Sequence, residues 1–158
     1  LHSLALLLLV LCSSLEGQVR RIRVIHTNDI GRDLRDEGSS GGLGRIVSAI
    51  KHLKDALPSL IVDAGNILGP DILSSRDGGR SVTEAMGALD TPPSGWDTTF
   101  DYGIDTLSVR NREAGFPFLA ANVKPDRPQD SLPFEPYVIS EVNGVRIGII
   151  GALDETIQ

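Results

Sequence analysis

Apolar and polar positions along the chain divide it into short segments of distinct period. Arg21 to Thr27 is rich in β-branched residues and alternates, which predicts a strand. Asn28-Asp29-Ile30-Gly31 breaks it, and a Gly/Ser cluster at Gly38 to Gly42 follows. Leu43, Ile46, Val47, Ile50, Leu53 and Leu57 recur at helical spacing, so a helix should lay one apolar stripe on a sheet, with Pro58 stopping it. Leu60-Ile61-Val62 is a short continuous apolar strand, the pattern of a strand buried on both faces, and it runs into Asp63-Ala64-Gly65-Asn66.

Ser81-Val82-Thr83-Glu84 has capping-box spacing and predicts a helix that buries Val82, Ala85, Met86 and Leu89. The Pro-containing stretch Asp90 to Gly95 reads as a loop. Tyr102 to Ala114 reads as a helix, with Gly115 as its C-cap and Pro117 just beyond. Phe118 to Val123 reads as a strand. Tyr137 to Val142 and Val145 to Ile150 flank Asn143-Gly144, a strong hairpin signal. The order β-α-β-α-α-β-β-β predicts an α/β sandwich around a mixed sheet.

Composition narrows the functional classes. A length of 158 residues suits one domain. A net charge of −6 argues against binding a nucleic acid polymer, which calls for clustered Lys and Arg. The histidines are His2, His26 and His52, so nothing after residue 52 supplies an imidazole. The apolar run Leu4 to Leu11 is too short to span a bilayer, and no transmembrane span is expected. Followed by Cys12-Ser13-Ser14, it fits the hydrophobic region of a secretory signal. Residues 1–18 are therefore read as a signal remnant and 19–158 as the folded part, with a secreted or periplasmic location. Cleavage after Ser14 would remove Cys12 and leave no thiol; bulky Leu11 before Cys12 opposes lipidation. At the other end a buried strand lies seven residues from Gln158, so further sheet is expected, and both ends read as cuts in a longer protein.

In open α/β sheets ligands bind beyond the carboxyl ends of strands. Asn28-Asp29 follows the first strand and Asp63 with Asn66 follows the second. Such a set of carboxylates and amides suits a hard or borderline metal ion. Asp and Asn also end strands simply because they form turns with their own backbone, and residue types alone do not separate these uses. His26, within a strand, reads as a satisfied core or strand-end imidazole rather than a ligand.

The runs Ile25-His26-Thr27-Asn28-Asp29-Ile30, Gly41-Gly42-Leu43-Gly44-Arg45, Leu60-Ile61-Val62-Asp63-Ala64-Gly65, Phe100-Asp101-Tyr102-Gly103 and Phe116 to Val123 occur in that order. Together they resemble the N-terminal metallophosphatase (calcineurin-like phosphoesterase) domain of the 5′-nucleotidase family, which includes UDP-sugar hydrolases and 2′,3′-cyclic-nucleotide phosphodiesterases. The resemblance runs from about Ile22 to about Gly151. It implies a metallophosphatase-type αββα sandwich around mixed β-sheets, incomplete at the C-terminus. It also implies an exported enzyme with two divalent ions of the Zn, Mn or Mg type, a nucleotide or other phosphoester substrate, and a C-terminal base-binding domain. Two metals would clamp phosphate oxygens and activate a water.

The ligand motifs depart from the family pattern. Asp29 matches the Asp of Asp-x-His, but Gly31 stands where the His belongs. The family's Gly-Asp, whose Asp bridges both metals, is Gly65-Asn66 here. The Gly-Asn-His-Glu loop reads Trp96-Asp97-Thr98-Thr99 in one register; in another, Gly95-Trp96-Asp97 matches an upstream motif and the loop is deleted. The resemblance thus leaves Asp29, Asn66 and Asp97 as metal candidates, with Asn28 and Asp63 supporting, and no catalytic His. Trp96 suits a packing anchor or a base-stacking platform, and Asn122 a structural role. Three readings follow: an impaired exported phosphoesterase, a non-catalytic envelope binding or structural module on the same fold, or a fragment from a damaged gene.

Overall fold

The computed structural model describes residues 19–30, 42–68, 72–89, 102–127 and 131–153. Strand β1 (Arg23–Thr27) lies parallel to β2 (Ser59–Asp63), with Thr27 opposite Asp63 at the last rung. A parallel pair requires a crossover, and α1 (Gly42–Ala56) supplies it. Its stripe turns inward as the spacing predicts: Leu43 and Ile50 are buried, Ile46 and Val47 pack against the core, and only the distal Leu53 is exposed. The helix ends before Pro58, whose carbonyl accepts the Arg23 amide at 3.0 Å and so starts the parallel ladder. Leu60 and Ile61 point to opposite faces of β2 and both are buried, as a continuous apolar strand requires.

Two short helices follow, α2 (Ile72–Asp77) and α3 (Arg80–Gly87). The first has no apolar stripe and is not foreseen from periodicity. The capping-box reading of Ser81 needs correction. Asp77 of α2 caps α3: its carboxylate accepts the Arg80 amide at 3.0 Å, the Ser81 amide at 2.9 Å and the Ser81 hydroxyl. Burial would raise the Asp77 pKa, but these bonds outweigh it and hold the carboxyl below its usual range. Val82, Met86 and Leu89 are buried as predicted, whereas Ala85 is only half-buried against the core.

Helix α4 (Gly103–Ala114) ends at Gly115 in the left-handed region, φ 73°, the expected C-cap. Its last turn presses on α3: a Cβ on Gly87 would stand 2.5 Å from the Ala114 carbonyl oxygen, so only glycine allows this approach. The segment 118–123 is not a regular strand. Among the described residues it makes one parallel bridge, Leu119 to Glu135, and bonds to Gly151 through the Ala121 amide and the Gly151 carbonyl, 2.8 Å. A turn then ends the pairing, with the Val123 amide on the Ala120 carbonyl at 3.4 Å.

Strands β3 (Tyr137–Val142) and β4 (Val145–Ile150) form the predicted hairpin. Asn143 and Gly144 both take positive φ, 52° and 72°, as a type I′ turn demands. Among the described residues the strands form two two-stranded sheets, one parallel and one antiparallel, rather than one mixed sheet. The core between them and the helices joins Ile30, Ile50, Ile61, Ile67, Leu68, Met86, Leu107 and Phe118. The fold is α/β. Among the described residues no helix is long and apolar enough to cross a membrane. The signal reading at 1–18, the loop at 90–95, Trp96 and Asp101 lie outside the described residues.

Candidate strand-end site

The parallel register brings the carboxyl ends of β1 and β2 side by side, and two loops leave from them in step. The Ala64 amide donates to the Thr27 carbonyl at 2.8 Å, and the Asp29 amide donates to the Gly65 carbonyl at 3.1 Å. Each loop then turns through a left-handed residue, Asp29 and Asn66, both at φ 56°. Asp and Asn tolerate that region better than other residues with side chains. The two side chains meet: Asn66 Nδ2 donates to Asp29 Oδ1 at 2.6 Å. Asn28 Nδ2 donates to the other oxygen, Asp29 Oδ2, at 2.8 Å. Asp29 and Asn28 are exposed, whereas Asn66 is buried.

Asp63 is buried beneath this pair at 4% exposure. Its Oδ1 accepts the Gly65 amide at 2.7 Å, closing the turn that positions Asn66, and its Oδ2 accepts the Thr27 hydroxyl across the strand pair. Burial pushes the Asp63 carboxyl up from 3.8 to about 6 against the pull of the Thr27 and Gly65 hydrogen bonds; Asp29 raises it further and His26 lowers it. His26 takes the strand-end alternative, as the penultimate residue of β1, and not the core one. It is exposed and lines a cavity of about 360 Å³ with Val62, Asp63, Leu119 and Gly151.

The structure therefore brings Asp29, Asn66 and Asn28 together, with Asp63 supporting from below. Asp97 lies outside the described residues. The Thr27 hydroxyl belongs to the site but is not recognised from its residue type; the only signal for it is that it directly precedes Asn28-Asp29. Asn122 clamps backbone: its Nδ2 donates to the Leu153 carbonyl at 2.7 Å, and its Oδ1 accepts the Leu153 amide at 2.9 Å.

Two dications held close together need several anionic or imidazole donors with lone pairs aimed at common points. The described donors do not fit that requirement. The Asn66 amide directs N–H, not a lone pair, at Asp29 and carries no charge to set against two dications. Among the described residues no group of three or more His, Cys, Asp or Glu is gathered to hold a metal ion.

No family model matches the chain. It is similar to human 5′-nucleotidase, 31% identical over 148 residues, covering 82% of this chain and 26% of that protein. A 5′-nucleotidase from Vibrio parahaemolyticus is 28% identical, covering 85% of this chain and 25% of the relative. Among solved structures, a 5′-nucleotidase precursor from Thermus thermophilus matches with a TM-score of 0.71 at 27% identity, over 82% of this chain and 28% of that one. The NAD nucleotidase of Haemophilus influenzae shares the fold, with a TM-score of 0.72 at 23% identity, over 84% and 26% of the two chains. The chain spans about a quarter of the length of these relatives.

Proposed function

Because the chain belongs to the 5′-nucleotidase family, we propose that it is an exported phosphoesterase-type unit whose two-metal site is impaired. On this reading the substrates to which it traces back are nucleotide phosphoesters, and the chain on its own hydrolyses them poorly or not at all. Export rests on the apolar run Leu4 to Leu11. Impairment rests on one observation above others: the Asn66 amide donates to Asp29 where the family pattern has a bridging carboxylate.

The chemistry follows from the donor set. A carboxylate that bridges two dications contributes a full negative charge between them, and a neutral amide contributes none. The family pattern also places a His in a loop that either reads Trp96-Asp97-Thr98-Thr99 here or is deleted, and in both registers the His is missing. A positioned acid–base group of that kind contributes roughly 10²–10⁴-fold in rate. What the residues present do is tie the two loops across the strand ends through the Asn66–Asp29 hydrogen bond. No hydrolytic step follows from them.

The test is direct. The purified chain is assayed on nucleoside monophosphates and 2′,3′-cyclic nucleotides with Mn²⁺ or Zn²⁺, and its metal content is measured after dialysis. The expected outcome is no metal-dependent phosphate release and well below one tightly bound ion per chain. Near two ions per chain, with metal-stimulated turnover, would sink the reading.

A further inference from the structure

Resting on that reading and deepening it, we propose that the Asn66–Asp29 hydrogen bond is a metal-free tie, an uncharged amide standing where a bridging cation would, so that folding of this chain does not depend on divalent metal. The two loops need holding. Directly beyond Asp29 lies Ile30 at 8% exposure, and directly beyond Asn66 lie Ile67 and Leu68, both at 0%. These three side chains enter the same core. Their insertion fixes how far apart the two left-handed turns sit.

With carboxylates at both positions, the pair would repel at the 2.6 Å separation seen between Asn66 Nδ2 and Asp29 Oδ1. Like charges that close cannot both stay ionised without a proton or a cation between them. The amide removes the conflict by supplying a donor to the same oxygen. Asn28 engages the second oxygen at 2.8 Å, so an amide faces each Asp29 oxygen among the described residues. Hydrogen bonds to a charged group are among the stronger ones. The backbone is untouched by the exchange, since Asn and Asp suit the left-handed turn alike.

The experiment is thermal unfolding of the full chain in EDTA and in millimolar Mn²⁺. The natural sequence is expected to melt at the same temperature in both. Asn66→Asp is expected to melt about 5–10 °C lower in EDTA and to regain a large part of that in Mn²⁺. Asn66→Ala is expected to melt lower in both and to ignore Mn²⁺. The double variant Asp29→Asn with Asn66→Asp exchanges donor and acceptor, and is expected to recover at least half of the Asn66→Asp loss in EDTA.

If Asn66→Asp does not fold in EDTA, its helical circular dichroism should return in Mn²⁺, and the double variant should fold without metal. Asn66→Asp as stable as the natural sequence in EDTA would overturn the tie while leaving the impaired-site reading standing. A double variant no better than Asn66→Asp would do the same. A natural sequence stabilised by Mn²⁺ would instead overturn the impaired-site reading.

Discussion

Phe118→Ala is expected to lower folding stability by about 3–5 kcal/mol, the usual loss for deleting a buried phenyl ring. Phe118 is fully buried, and its ring stands 5.7 Å from that of Phe116 at an interplanar angle of 56°. Its amide donates to Asn111 Oδ1 at 3.1 Å, and its carbonyl accepts the Glu135 amide at 2.8 Å. Anchored on both sides, the backbone cannot collapse into the space the ring leaves, so the cavity term adds to the transfer term. Domains are stable by only about 5–15 kcal/mol, so the variant should sit near the edge of folding. Urea unfolding reads the loss as a lowered midpoint. Val24→Ala, at a position 62% exposed, serves as the near-neutral control. Equal midpoints for the two variants would mean that residues 116–120 do not belong to the core.

Asp63→Asn is expected to raise stability at pH 7 by about 1–3 kcal/mol and to remove a pH dependence. The folded Asp63 carboxyl is raised from 3.8 to about 6, chiefly by burial. The folded state therefore binds the proton more tightly than the unfolded state does. Between about pH 4 and pH 6 the native chain carries more protons, and stability falls as pH rises. The favourable contribution is complete below the unfolded value and gone above the folded one. A shift of this size corresponds to roughly 3 kcal/mol, at 1.36 per pKa unit. Asn keeps the size and accepts the Gly65 amide as Asp63 does; its NH₂ can donate to the Thr27 oxygen once that hydroxyl rotates. Unfolding of both proteins at pH 4, 5, 6 and 7 gives the difference directly. Asp77 shifts the opposite way, losing its contribution on acidification, but it is common to both proteins and cancels. A difference that stays constant across this range would contradict the assignment.

Helix α1, strand β2 and the β3–β4 hairpin were legible because local rules decide them. A stripe at helical spacing ended by Pro58, a continuous apolar run and Asn143-Gly144 each leave one good local solution. Helix α2 has no apolar stripe to announce it, and two further features were not legible because the pattern names the wrong partner. The run Phe118 to Val123 has strand composition, but its described neighbour Glu135 sits in an irregular segment, so among the described residues the two segments meet at the single bridge Leu119 to Glu135. Ser81 has the spacing of a cap, but Asp77 in the preceding helix supplies the acceptor. At the site, the meeting of Asp29 with Asn66 follows once two parallel strands are set side by side. The Thr27–Asp63 contact does not, because it depends on the register that places those residues at one rung.

The left-handed turns at Asp29 and Asn66 bear on how such a site changes by descent. A backbone at φ 56° is open chiefly to Gly, Asn and Asp, so chain geometry screens substitutions there before chemistry does. An Asp at the first turn is then no token of a surviving reaction, since the turn alone favours it. A change from Asp to Asn at the second turn needs one base transition in the codon and leaves the turn in place. A lineage passing along that route gives up a charge between two loops and gains a bond across them, and the backbone architecture persists.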